Sequence, residues 1–559
     1  MTMTNLTVTK MKKKKVLDVW KVLSISILLS YFLFLIYPLY MILNSSFTGA
    51  DGGFSLEWFE QFFAQKYYFS TLTNSFSVTI WTTILSLIIG YILAYFYNMF
   101  EIKGKGFLQV LIILSSMSAP FIGAYAWIQL LGRAGLITVF IKNLTGYTMP
   151  NIYGFNGILL VLTLQLFPLV FLYISGALKK IDNSLLEASA NMGVSGVKRF
   201  FKIIVPLTMP TIFAAGLLVF MRAFADFGTP LLIGEGYRVF PVEIYNQFMG
   251  EVGRNYNFAA TISVIAILIT TFIFLGQKFV ADKFQFTMNS LNTIERKKAK
   301  GLFNVFIHFF SYFVVILSFL PQVLIVYQSF QNTSGKLFTS GFSLNSYIFA
   351  LNRMKRAIPN TFYIGGIALM ITIILAIFIA YLVVRRKNAM NNVIDTMSMI
   401  PYIIPGSVVG IGLVMAFNRQ PLVLTGTVFI MVVALVIRRI PYTIRSSVAI
   451  LQQIPITIEE ASISLGAAKM KTFFKITVPM MASGVIAGAI LSWVTIITEL
   501  ATAIILYNAK TITLTLSIYS FVSRGNYGYA AALATVLTAL TTVSLLLYMK
   551  LTKSNEITL

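Results

Sequence analysis

Two carboxylates and a set of guanidinium groups fall inside stretches apolar enough to cross a membrane, where a charge has few uses. Asp226 lies in RAFADFGTP and Glu499 in TIITELATA, 273 positions apart. A charge at the centre of a bilayer costs at least ~2.5 kcal/mol, so it turns inward to a partner, a water-filled cavity or an ion. The two acids could form a gate that attracts a cation or closes against Arg. Equally, Asp226 could pair with Arg222 at i,i+4, or each acid could cap an interrupted helix near the interface. Arg438, Arg439 and Arg445 stand in RRIPYTIR. If their helix starts near Leu424, Arg438 is ~20 Å from its outer end and near mid-membrane. There a guanidinium needs a carboxylate, a cavity or an anion such as a phosphate or phosphonate, unless the helix is short and the arginines are cytoplasmic.

The elements that must position these groups follow from composition. With 57% hydrophobic and 11% charged residues, and a mean hydropathy of +0.82, the chain reads as an all-α polytopic membrane protein. The lack of Cys and the single His308 exclude a disulfide framework and a Cys- or His-rich metal site, and no metal ligands are assigned. The net charge of +25 is spread between apolar runs, which fits orientation against an anionic inner leaflet and excludes nucleic acid as a partner. Runs of about 20 apolar residues, the length that crosses a bilayer, predict about 12 transmembrane helices in two sets of six. The first set lies near 22–44, 74–97, 106–130, 156–178, 207–231 and 257–280. The second lies near 303–328, 359–384, 393–417, 423–450, 480–505 and 528–549. The run after Lys21 is long enough to remain as a span rather than a cleaved signal.

Lys10, Lys12 to Lys15 and Lys21 precede the first span, and Lys103, Lys105, Lys179, Lys180 and the ERKKAKG run follow even numbers of crossings. The positive-inside rule then places both termini in the cytoplasm. The bias is imperfect, because Lys66, Arg133, Arg238, Arg254, Lys336, Arg353, Lys355 and Arg356 fall on the outer side. Three segments result: a first six-helix domain with its tail (1–281), a basic cytoplasmic linker (282–302) and a second six-helix domain (303–559).

The two domains are copies. EASANMGVSGVKRFFKIIVP, Glu187 to Pro206, returns 273 positions later as EASISLGAAKMKTFFKITVP, Glu460 to Pro479. At the same offset Pro168 matches Pro441, and Asp226 matches Glu499; at 286, Asn74 matches Asn360 and Tyr95 matches Tyr381. Equal orientation of both copies makes them parallel repeats about an axis along the membrane normal, with a path between them. In each repeated loop a polar start suits a helix cap, an Ala-rich stretch suits a helix and a Gly suits a turn. A second short helix is expected near Val197, with Pro206 marking entry to the next span. The loop presents Glu187 or Glu460 on a small-residue surface fitted to a groove on another protein.

The pattern E-A-S with Gly six residues after the Glu, then I-x-V-P, resembles the EAA loop of binding-protein-dependent ABC importer permeases, with MetI-like domains. It covers Glu187, Ala188, Ser189 and Gly193, and again Glu460, Ala461, Ser462 and Gly466. Ser189 and Ser462 depart from the usual Ala. The resemblance implies that each loop couples to one of two copies of a cytosolic ATPase, which uses ATP and Mg, and that an external binding protein delivers substrate. Outer loops with Glu235, Glu243 and Arg356 are candidates for that delivery. The chain has no G-x-x-x-x-G-K-[ST] run, so it is expected to bind no cofactor and to be a permease subunit rather than an enzyme. Glycines in PGSVVGIGL, including Gly406, Gly410 and Gly412, suit close helix packing. RRIPYTIRSSVAILQQIP is similar to ferric-iron transport permeases and to relatives assigned to 2-aminoethylphosphonate. Ferric iron, free or chelated, is the leading substrate, with a small anion as the alternative. The acids favour a bare ferric ion; the arginines favour an anion. An ion-coupled secondary transporter would leave the doubled loop without a task.

Overall fold

The computed structural model describes residues 19–116, 120–250, 255–283, 294–334 and 336–552. Lys10, Lys12 to Lys15, Arg254 and residues 284–293 of the linker lie outside the described residues. Among the described residues, ten helices are long and apolar enough to cross a membrane. A further pair, Ala389–Ile403 and Gly406–Phe417, passes together but is bent by 112°. The helix Val428–Gln453 is long enough, at 26 residues, and carries the three arginines that make it less apolar. The structure is thus all-α apart from short β elements, chiefly an antiparallel hairpin of Gln331–Ser334 and Leu337–Phe342 between two helices.

Several helices differ from the unbroken spans expected. In the third span of the first half, Lys105–Ser116 and Pro120–Leu131 are helical and residues 117–119 between them lie outside the described residues. In the second half the break falls at Ile404 and Pro405, both with extended backbone; Pro405 has no N–H for the helix ladder, and its ring disfavours helix at the preceding residue. The fifth spans, expected to reach 231 and 505, stop at Phe224 and Ile497. Nor is there a separate short helix at Val197. Gly196–Arg199 runs through one wide i→i+5 turn, Phe200–Ile204, straight into Val205–Phe224. The second half repeats this with Lys469–Thr472, Phe473–Thr477 and Val478–Ile497.

Other ties are duplicated as well. Asn74 Nδ2 donates to the Arg238 carbonyl at 3.0 Å, and Ser75 Oγ accepts from the Phe240 N–H at 2.8 Å. Their counterparts do the same: Asn360 Nδ2 donates to the Lys510 carbonyl at 2.8 Å, and Thr361 Oγ1 accepts from Leu514 N–H at 2.8 Å. Each pair satisfies backbone groups of a loop that no helix ladder can serve.

The two halves hold each other through their first helices. The helix starting at Val19 places Trp20 against Tyr381 and Phe473, with ring centroids 4.5 and 5.1 Å apart, while Ser24 Oγ donates to Asn391 Oδ1 at 2.8 Å. Further along, Gly412 is packed so closely that a Cβ there would meet Ile42 and Pro38 at 3.0 and 3.3 Å. Reciprocally, the helix Gly301–Phe330 packs on the first half. Ser318 Oγ donates to the Leu164 carbonyl at 2.9 Å, and Phe310 lies 5.8 Å from Phe96.

Candidate transport chamber and coupling loops

A cavity of about 320 Å³ opens between the halves, lined by helices that are counterparts in the repeat. Gln165, Leu169, Arg222 and Asp226 come from the first half; Arg438, Tyr442, Thr495 and Glu499 come from the second. At the offset of 273 these are four matched pairs. Gln165 corresponds to Arg438, Leu169 to Tyr442, Arg222 to Thr495 and Asp226 to Glu499. The chamber is therefore built symmetrically and charged asymmetrically.

Both acids cap helices. Asp226 Oδ1 accepts from the Thr229 N–H at 2.9 Å, and Glu499 Oε1 accepts from the Thr502 N–H at 3.0 Å. Each carboxylate thereby begins the short helix that follows the break, Gly228–Ile233 or Ala503–Leu506, and offsets the positive end of its dipole. Interrupted helices of this kind occur at membrane depth where they line a cavity. Beyond this the acids diverge. Glu499 is buried and its Oε2 forms an ion pair with Arg439 Nη2, whereas Asp226 has no ion pair with Arg222 or any other cation among the described residues.

The arginines have separate tasks. Arg438 Nη1 donates to the carbonyls of Pro401 and Ile404, at 3.2 and 2.5 Å. Those acceptors are left over where the helix breaks before Pro405, so Arg438 acts as a cap at the broken end. Gly406 is needed at this crossing, because a Cβ would come within 2.8 Å of Ala501 and 3.2 Å of Arg438. Arg222 shares the chamber lining with Tyr402 and Tyr442. It is exposed to the chamber even though protein surrounds it. Arg445 is not in the chamber: it is half exposed and pairs with Asp395 at 3.1 Å. Tyr402, Tyr442 and Gln165 were not singled out from sequence, although the repeat offset applied to Arg438 leads to Gln165 and the run RRIPY contains Tyr442.

The loops lie at the other end of these helices. Asp182 caps Asn183–Asn191 through the Ser184 N–H at 2.9 Å. Gly193 and Gly466 have φ of +75° and +90°, a left-handed conformation that ends each loop helix and that other residues resist. Glu187, Ala188, Glu460 and Ala461 are exposed. Ser189 and Ser462, the two departures from Ala, make hydrogen bonds: Ser189 Oγ donates to the Leu186 carbonyl at 2.7 Å, and Ser462 Oγ lies 3.0 Å from Thr472 Oγ1. Five residues after each acid the sequence places a large apolar side chain at matching positions, Met192 and Leu465, which are 80% and 90% exposed. The second loop is also anchored differently. Glu459 is buried against Arg385 Nε at 2.9 Å and Tyr381 OH at 3.3 Å, while its counterpart in the first loop is Leu186.

On the outer-loop candidates, Glu235 pairs with Arg133 at 2.9 Å and both are exposed. Glu243 is buried, accepting from Gln247 Nε2 at 2.7 Å and Tyr67 OH at 3.2 Å, so it offers no docking surface. Its place in the first turn of Phe240–Met249, facing inward, was not visible in the loop's composition.

The ferric transport system permease protein FbpB of Actinobacillus pleuropneumoniae is 29% identical over 522 residues, 92% of this chain and 75% of that protein. A putative ferric transport system permease protein FbpB 1 of Haemophilus influenzae is 28% identical, over 87% of this chain and 77% of its own length. A putative 2-aminoethylphosphonate transport system permease protein of Salmonella typhimurium is 25% identical, over 47% of this chain and 92% of that protein. Residues 86–285 and 372–554 match one family description, each segment holding one loop and one chamber acid. This chain belongs to the family of binding-protein-dependent transport system inner membrane components, and is a multi-pass permease of an ABC importer.

Proposed function

We propose that this permease imports ferric iron, free or chelated, received from an external binding protein and driven by two copies of a cytosolic ATPase. Residues 1–281 and 303–559 are its two domains, with the linker, both loops and both termini in the cytoplasm. The carrying observation is the doubled loop, which exposes an acid and, five residues on, a large apolar side chain: Glu187 and Met192, and Glu460 and Leu465. A buried groove on a partner would cover the apolar residue and leave the acid to choose orientation. ATP and Mg belong to the ATPase.

The helix geometry supplies the coupling. From Gly196 to Phe224, and from Lys469 to Ile497, 29 residues run without a break, a rod of roughly 44 Å. Each rod starts beside its loop and ends two residues before a chamber acid. A displacement of the loops by closing ATPases therefore reaches Asp226 and Glu499 with little loss, and moves the two halves relative to each other. Alternation of the chamber between the two faces follows from that motion.

Iron is supported by the relatives that match along most of this chain, both of which are named as ferric transport permeases. A second reading, import of 2-aminoethylphosphonate or another small anion, is favoured by the chamber's excess of arginine over acid. Replacing both loop acids, Glu187→Arg with Glu460→Arg, is expected to abolish co-purification of the ATPase while the permease still folds; undiminished co-purification refutes the docking. Uptake of ⁵⁵Fe by cells carrying the intact transporter, with excess unlabelled 2-aminoethylphosphonate as competitor, separates the cargoes. Iron uptake that ignores the competitor supports iron.

A further inference from the structure

The chamber is ill suited to a bare trivalent cation. Both acids already serve helix caps, and Glu499 also holds Arg439. Among the described residues no group of three or more His, Cys, Asp or Glu side chains could hold a metal ion. A hard cation needs several oxygen ligands, and three guanidinium groups at the same cavity repel it. What the chamber does offer is donors. Arg222 is the cation with neither a carboxylate nor a broken helix end to serve. It lines the cavity from the first half together with Tyr402 and Tyr442 of the second, whose rings lie 5.7 Å apart. The Nε groups of Arg438 and Arg439 are buried without a hydrogen-bond partner.

We propose that Arg222, with Tyr402 and Tyr442, forms an oxyanion site in the chamber, and that iron crosses as a complex whose carboxylate or phosphate ligands are held there. This rests on the iron-import reading for the cargo but not for the site. The site spans the interface, with its guanidinium on one half and its hydroxyls on the other. Planar donation from Arg suits either oxyanion. Movement of the halves would pull Arg222 away from the tyrosines and release the anion without any proton or bond being exchanged.

Two measurements test it. The first is equilibrium binding of inorganic phosphate and of citrate to the purified full chain in lipid nanodiscs. Binding of at least one is expected; Arg222→Met should weaken it about tenfold or more, Arg222→Lys should retain part, and Arg445→Met, which removes an arginine outside the chamber, should leave it unchanged. No binding by the unaltered chain, or no effect of Arg222→Met, overturns the proposal. The second is uptake by the complete reconstituted transporter of ⁵⁵Fe supplied with ¹⁴C-citrate or with ³²P-phosphate. Co-entry of one labelled anion is expected and identifies the ligand, whereas iron entry with neither label overturns passage as a complex. Phosphate or citrate binding lost in Arg222→Met, combined with no iron uptake at all, would sink the iron reading and leave the oxyanion site standing.

Discussion

Asp226 and Glu499 occupy equivalent places and make the same cap, yet only Glu499 neutralises a buried cation. Their substitutions should therefore differ. Asp226→Asn keeps an oxygen for the Thr229 N–H and is expected to cost about 1 kcal/mol or less. Glu499→Gln keeps the cap but leaves Arg439 unpaired, expected to cost about 3–5 kcal/mol. Unfolding midpoints of the two variants in detergent check this, and equal midpoints would contradict the assignment. The sequence offset makes these acids counterparts, and each accepts a backbone N–H three residues on while lining the chamber. It could not reveal which acid takes an arginine, since Arg439 and Glu499 are 60 positions apart and meet only after two helices pack. Arg445 misleads for a related reason: it shares a helix face with Arg438 but lies two turns, roughly 10 Å, further along, beyond the chamber, where it pairs with Asp395.

Helices and loops were legible where apolar length decides and illegible where breaks do. Pro405 alone did not announce a bend, because Pro168 and Pro441 sit inside unbroken helices. The difference lies in what receives the freed carbonyls, and at Pro401 and Ile404 that is Arg438 from another helix. Loop anchoring shows the same dependence on distant partners. Arg385 and Glu459 form a pair buried on both sides, where the first half has Met99 and Leu186. Arg385→Met alone strands a buried carboxylate and is expected to destabilise by about 3–5 kcal/mol. Adding Glu459→Leu, which copies the first half, should recover most of that loss. A double-mutant cycle on thermal stability gives the coupling, and a double variant as unstable as the single one would show that the pair is not interchangeable with apolar packing.

For the molecule as a whole, the exchange of first helices means that neither half has a complete surface of its own. Residues 303–559 expressed alone should be degraded or aggregate, and co-expression with residues 1–302 should restore a folded complex detectable by co-purification. A stable isolated second half would contradict this. The duplicated sequence made two domains evident, but it carries no sign of the exchange, which depends on contacts between segments far apart. That separation has a consequence during synthesis. Ser24 meets Asn391 across 367 positions, and a ribosome adding about 5–20 residues per second needs roughly 20 to 70 s to bridge them. Throughout that interval the first helix sits in the membrane with its Trp20 and Ser24 face not yet packed on the second half, open to a chaperone, an insertase or a neighbouring copy. The order of assembly is thereby dictated by the chain: the first helix enters early and finds its final neighbours late.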